Sequence, residues 1–162
     1  MKLLMIGQGA FGHKHLEALQ NIDDVEVVSI VGGSDSSTKA TAEKFNIPHW
    51  TLNLDEGLSQ PGVEAAIITS PTPIHAKQAI AVMRAGKHVM IEIPMADNIR
   101  DAEDVCKVQK ETGLVAMAGH TRRFNPSHQW IKNKINKGEL NIQQMDVQTY
   151  FFRRKNLNAL GQ

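Results

Sequence analysis

The chain has 162 residues with 18 basic and 17 acidic side chains, a formal charge of +1. That length suits one domain with a real core, and the balance removes the bulk attraction that nucleic acid or an anionic membrane would exert, so neither is an expected partner. One cysteine excludes an intrachain disulfide and fits a reducing compartment, and without a long apolar run or a signal-peptide layout a cytoplasmic location is expected.

The chain opens with a short apolar strand, Lys2-Leu3-Leu4-Met5-Ile6, and runs at once into Gly7-Gln8-Gly9-Ala10-Phe11-Gly12. Strand, G-x-G-x-x-G and helix in that order form the dinucleotide-binding fingerprint. Gly7 permits the tight turn, Gly9 lets the backbone approach a pyrophosphate, and Gly12 lets the next helix pack on the sheet. The helix start then offers free N–H groups and a positive dipole end to phosphate. His13 and His15 read as ordinary residues of that helix face.

Further apolar runs at 25–31, 63–69, 87–91 and 114–117 predict strands. Between and after them, helices are predicted at 37–45, Leu54–Leu58, 74–85, Ile99–Thr112 and 126–137. Ala76, Ala79, Ile80 and Met83 share one helix face, and Cys106 reads as a small buried side chain. Gly86, Gly113 and Gly138 stand where helix C-caps belong, and Asn125-Pro126 reads as an N-cap with first-turn proline. The alternation predicts a doubly wound parallel α/β sheet covered on both faces.

The second strand ends in Gly32-Gly33-Ser34-Asp35, with no carboxylate where an NAD enzyme holds the ribose 2′-hydroxyl. Ser34 and Lys39 can instead donate to a 2′-phosphate, which favours NADP over NAD, although no arginine is present to clamp it. Thr69, Ser70, Pro71, Thr72 and His75 follow one strand end; Glu92 and Pro94 follow another. Ligands bind at such carboxyl edges, so these residues are expected to complete the cofactor cleft. His75 is assigned to orienting the cofactor or capping its helix. No metal site is expected.

Residues 142–152 alternate in polarity and predict a half-solvated strand of an open antiparallel sheet. No second strand follows to pair with it. Residues 1–138 are therefore read as the nucleotide domain, and 139–162 as the start of a second, α+β domain. The strand is expected to pair with its counterpart in another copy, giving a homo-oligomer.

The glycine motif, Thr69-Ser70-Pro71-Thr72-Pro73-Ile74-His75 and Glu92-Ile93-Pro94 together resemble the glucose–fructose oxidoreductase/inositol dehydrogenase/MocA family over essentially the whole chain. The resemblance implies the N-terminal half of a two-domain NAD(P)-dependent oxidoreductase acting on hydroxyl groups. Residues 119–128 and 142–156 are similar to members that oxidise the cyclic hemiacetal of a polycarboxylate with NADP in aromatic catabolism. The family pattern has lysine beside the nicotinamide where this chain has Ile93. A hemiacetal hydroxyl is more acidic than an ordinary alcohol and needs less help, and His120 is the candidate proton acceptor. Arg122, Arg123, Arg153 and Arg154 are candidates for substrate carboxylates, because guanidinium pairs bidentately with them. Two other classes compete: a non-catalytic nucleotide-binding module, and an interaction protein that pairs through its exposed strand. Relatives close the cleft with their second domain, so the 162-residue chain is expected to bind nucleotide and turn over poorly.

Overall fold

The structure, a computed structural model, describes residues 1–148 and 150. Two compact units divide between His120 and Thr121, where the sequence put its boundary after Gly138.

In the first unit, strands β1 (Lys2–Ile6), β2 (Glu26–Val31), β3 (His49–Thr51), β4 (Val63–Ile68), β5 (His88–Ile91) and β6 (Ala116–Ala118) form one sheet in the order β3-β2-β1-β4-β5-β6. Every pairing is parallel. The order reverses between β1 and β4, which is the place where open α/β sheets leave a crevice at their carboxyl edge. β1 lies at the centre and is apolar on both faces. Leu4 and Ile6 pack with α3 (Leu54–Leu58), α4 (His75–Arg84) and α5 (Ile99–Thr112) through Leu58, Met83 and Val105. Leu3 and Met5 pack on the other face with Leu16 of α1 (Ala10–Leu19) and Ala42 of α2 (Asp35–Phe45). A two-residue period on a buried strand thus feeds two helical layers at once.

The expected helix stops hold. Gly86, Gly113 and Gly138 have φ of +76°, +66° and +72°, the left-handed region that ends a helix with least strain. Ala76, Ala79 and Met83 are buried along one face of α4, with Ile80 packed at its margin. Cys106 departs from expectation: it is exposed on α5, whose buried line runs through Val105 and Val108. One residue on from Val105 is about 100° round the helix, which carries Cys106 out of that line.

The second unit holds a turn of 3-10 helix at Thr121–Phe124 and α6 (Pro126–Asn136). Asn125 caps α6 by accepting the Ser127 N–H at 3.0 Å. No residue of α6 is buried. The strand expected over 142–152 is not formed in its described part, 142–148 and 150. Met145, Val147 and Tyr150 are exposed there. A strand exists by pairing its N–H and C=O groups, and no neighbour offers them among the described residues.

Candidate functional site

The site begins where β1 stops. The Gly7 N–H donates to Val31 O at 2.8 Å, and Thr69 N–H donates to Ile6 O at 2.7 Å, so the turn is tied to the ends of both neighbouring strands. The Thr69 hydroxyl adds a bond to Gly7 O at 3.0 Å. Gly7 has φ +111°, and a Cβ on it would stand 2.7 Å from the Thr69–Ser70 backbone. A Cβ on Gly12 would stand 2.1 Å from Gly7 O, so α1 crosses the turn closer than any side chain allows. Gly9 is the opposite case: a Cβ there would meet nothing within 4 Å. The turn is therefore packed on its protein side and open on its outer side at the N-cap of α1. No acidic residue stands in the first turn of α1 to compete with a phosphate there.

A cavity of about 470 Å³ occupies the β1/β4 crevice. That volume is in the range of small-molecule sites, roughly 300–1,000 Å³. Six of the expected cofactor residues line it: Gly7, Gln8, Gly9, Thr69, Ser70 and Pro71. Gly32 and Gly33, at the end of β2, line it as well, as do Ile74 and Gln78, which were not among the expected cofactor residues. Gln78 accepts a bond from the Ser70 hydroxyl at 2.5 Å. It lies one turn after Ile74 on the same helical stretch, a spacing visible in the sequence once the strand-end loop is placed.

The other expected residues fall around this cavity rather than on its wall. Ala10 and Phe11 open α1 and are exposed, while Gly12 is buried under the turn. Ser34 and Lys39 are exposed on α2 or its cap; the Lys39 ammonium is 4.0 Å from Glu43. Thr72 begins the 3-10 turn before α4. His75 is buried and bridges two strand-end loops, its ring nitrogens 2.6 Å from Ser70 O and 2.8 Å from Pro94 O. Its role in the structure is thus to hold the loops that flank the crevice.

At the end of β5, Glu92 is buried and 2.6 Å from His15 Nε2. Its second oxygen accepts the Ile93 N–H at 3.2 Å. His15 is therefore not an ordinary helix-face residue: it joins α1 to the β5 end. It stands three residues after Gly12, so it shares the face that packs on the sheet. His13 is also engaged, bonding Thr41 Oγ1 at 3.1 Å and meeting the Phe45 ring edge-on. Ile93 and Pro94 are exposed. His120 is exposed just past β6, its N–H donating to Ala118 O at 2.8 Å. Arg122 and Arg123 are exposed on the 3-10 turn of the second unit, and Arg153 and Arg154 lie outside the described residues. Among the described residues no group of acidic, histidine or cysteine side chains could hold a metal, and no helix is long and apolar enough to cross a membrane.

Comparison with known proteins agrees with this geometry. Residues 1–120 match the GFO/IDH/MocA model, an oxidoreductase family with an NAD-binding Rossmann fold. Residues 126–162 match a model of bacterial oxidoreductase C-terminal regions. Over all 162 residues the chain is 57% identical to 4-carboxy-2-hydroxymuconate-6-semialdehyde dehydrogenase of Sphingobium sp. strain NBRC 103272 / SYK-6, covering 51% of that protein. It is 26% identical over 141 residues, 86% of this chain and 41% of the relative, to the NAD(+)-dependent scyllo-inositol 2-dehydrogenase of Bacillus subtilis strain 168. A crystal structure of a probable dehydrogenase from Thermotoga maritima superposes with a TM-score of 0.82 at 27% identity, over 85% of this chain and 41% of that one. The chain thus spans about half or less of the length of these relatives. A glycine turn packed from one side and open on the other, at the strand-order reversal of a six-stranded parallel sheet, is what the family match predicts, and the chain belongs to the GFO/IDH/MocA family of oxidoreductases with its NAD(P)-binding Rossmann fold.

Proposed function

We propose that this chain is the nucleotide-binding half of an NADP-dependent dehydrogenase. Its substrate is the cyclic hemiacetal of 4-carboxy-2-hydroxymuconate-6-semialdehyde, its product is 2-pyrone-4,6-dicarboxylate, and its setting is cytoplasmic protocatechuate breakdown. The 57% identity to the Sphingobium dehydrogenase carries the reading. The crevice supports it, because a cradle a Cβ would fill at Gly7 and Gly12, open at Gly9, fits a dinucleotide.

A bound nicotinamide dinucleotide supplies the hydride acceptor for such a reaction. The protein's contribution is placement and protonation. The backbone of Gly7, Gly9 and Ala10 and the start of α1 hold the pyrophosphate. Ser34 and Lys39 reach the 2′-phosphate end, where no strand-end carboxylate stands to repel it. Thr69, Ser70 and Pro71 form the opposite wall, with Thr72 next to it, and His75 holds their loop. His120 takes the hydroxyl proton, the lysine of the family pattern being Ile93. Glu92 is committed to His15 and stabilises the β5 end. Arg122, Arg123, Arg153 and Arg154 bind the carboxylates of the substrate. A substrate domain beginning after the nucleotide-binding unit, and self-association through the segment starting at residue 142, belong to the same reading.

Incubating the full-length gene product with the hemiacetal and NADP tests it. Formation of 2-pyrone-4,6-dicarboxylate together with NADPH is the expected outcome. Turnover of an inositol with none of the hemiacetal would move the assignment to a cyclitol dehydrogenase of the same family.

A further inference from the structure

We infer that the side chain of Gln8, acting with Ser37, selects for the nucleotide's 2′-phosphate; this rests on the NADP reading above. Gln8 stands between two motif glycines, so its backbone belongs to the phosphate turn. Its side chain does not. The amide crosses to the β2–α2 turn, where Oε1 accepts the Gly33 N–H at 3.0 Å. Nε2 donates to Ser37 Oγ at 2.9 Å. Ser37 Oγ is in turn 2.6 Å from Ser34 Oγ. The network adjoins the cavity, whose wall on this side is Gln8, Gly32 and Gly33. Gln8 is half-buried and both serines are exposed, so a ligand can reach them.

The direction of the hydrogen bonds carries the inference. An amide Nε2 donates and cannot accept. Ser37 therefore receives the bond from Gln8, and its own proton has two acceptors on Ser34, the nearer Oγ at 2.6 Å and the main-chain O at 3.4 Å. The second N–H of Gln8 is left to donate outward, and so is the Ser34 hydroxyl when the Ser37 proton lies on the shorter bond. Such a chain polarises toward an acceptor at its open end, and each member strengthens the next. A ribose 2′-phosphate is a pure acceptor with negative charge, whereas a ribose 2′-hydroxyl needs an acceptor from the protein. Gln8 thus gives the lip donor character. Asp35, exposed at the start of α2, is the nearby opposing charge in sequence, and Lys39 the nearby supporting one.

Gln8→Glu is the informative change. A carboxylate can still accept from Gly33 N–H and from the Ser37 hydroxyl, so the turn is kept, but the donor direction reverses and a negative charge is added. Titration calorimetry on the 162-residue chain should show NADPH affinity falling by about tenfold or more beyond any loss NADH shows, because both dinucleotides carry the pyrophosphate and only NADPH carries the 2′-phosphate. Adenosine 2′,5′-bisphosphate should lose more affinity than 5′-AMP by a similar factor. Ser37→Ala should weaken NADPH in the same selective way by a smaller factor, with its melting temperature near that of the parent chain. Equal losses for NADPH and NADH would place Gln8 at the pyrophosphate and overturn the inference, and so would an unchanged NADPH affinity in Gln8→Glu. A parent chain that binds NADH as tightly as NADPH would defeat the NADP reading itself, before any variant is made.

Discussion

Around β1, β2 and β4 the turns are fixed by contacts closer than a side chain permits, and they enclose a cavity. Around β5 and β6 backbone bonds also tie the strand ends together, Glu92 N–H to Ile68 O at 2.9 Å and Gly119 N–H to Ile91 O at 2.7 Å, but a buried side-chain pair is added and Ile93, Pro94 and His120 just beyond are exposed. At the first end Gly7 and Gly12 leave no room for a Cβ, and backbone bonds join the turn to both neighbouring strands. At the second end the buried Glu92 is held by His15, while Ile93, Pro94 and His120 are exposed. The first arrangement suits a ligand of constant shape, a dinucleotide gripped through its phosphates. The second rests on side-chain identity, which backbone geometry alone does not fix.

The comparison is broken most directly at Gly12. A methyl group at Gly12 would stand 2.1 Å from a backbone oxygen, so Gly12→Ala must push α1 off the turn. Nucleotide affinity should drop by about 100-fold, on the order of 2.7 kcal/mol. Calorimetric titration giving an affinity near the parent's would show that the close crossing is not needed for binding.

The second end is expected to respond in the substrate and not in the cofactor. In the full-length enzyme Arg123→Ala should raise KM for the hemiacetal, with a loss of about 1.5–3 kcal/mol for a charge-assisted contact. Cofactor affinity should stay constant. Steady-state kinetics with an unchanged KM would remove Arg123 from the substrate site.

Glu92 sharpens the contrast in stability. Glu92→Ala leaves the His15 ring nitrogen and the Ile93 N–H without their acceptor. Losing such a bond in a buried setting costs about 1–3 kcal/mol. Urea denaturation should show that loss, while NADPH binding changes little because Glu92 does not line the cavity. A large loss of nucleotide affinity with full stability would put Glu92 in the cofactor site instead. The smallest expected effect is at Asp35. Removing its charge with Asp35→Asn should tighten NADPH by about twofold, as expected for an exposed charge screened by salt. A weakening of NADH alone would mean that Asp35 serves a ribose hydroxyl.

Most of the frame was legible because each signal was local. β1 and α5 have the limits read from apolar pattern and capping residues, and Gly113 stops α5 in the expected left-handed conformation. The contacts that escaped depend on distant partners. β3 has three residues and no apolar run of its own; it exists because it pairs with β2 and because His49 bonds Ser29. His15 and Glu92 are 77 residues apart, and Gln8 and Gly33 are 25 apart, so neither contact follows from spacing. The strand read over 142–152 illustrates the converse. Its alternation is genuine, but alternation supplies a face and not a neighbour. Cys106 was misplaced for a simpler reason: in a helix, residence beside a buried valine puts a side chain on a different face.

The central claim is a dinucleotide site whose β2 end accepts a 2′-phosphate. Side-by-side calorimetric titration of the 162-residue chain with NADPH and NADH tests it. The account predicts binding of both, with NADPH tighter by about tenfold or more from its charge-assisted contacts. Equal affinities, tighter NADH, or no binding of either would contradict it.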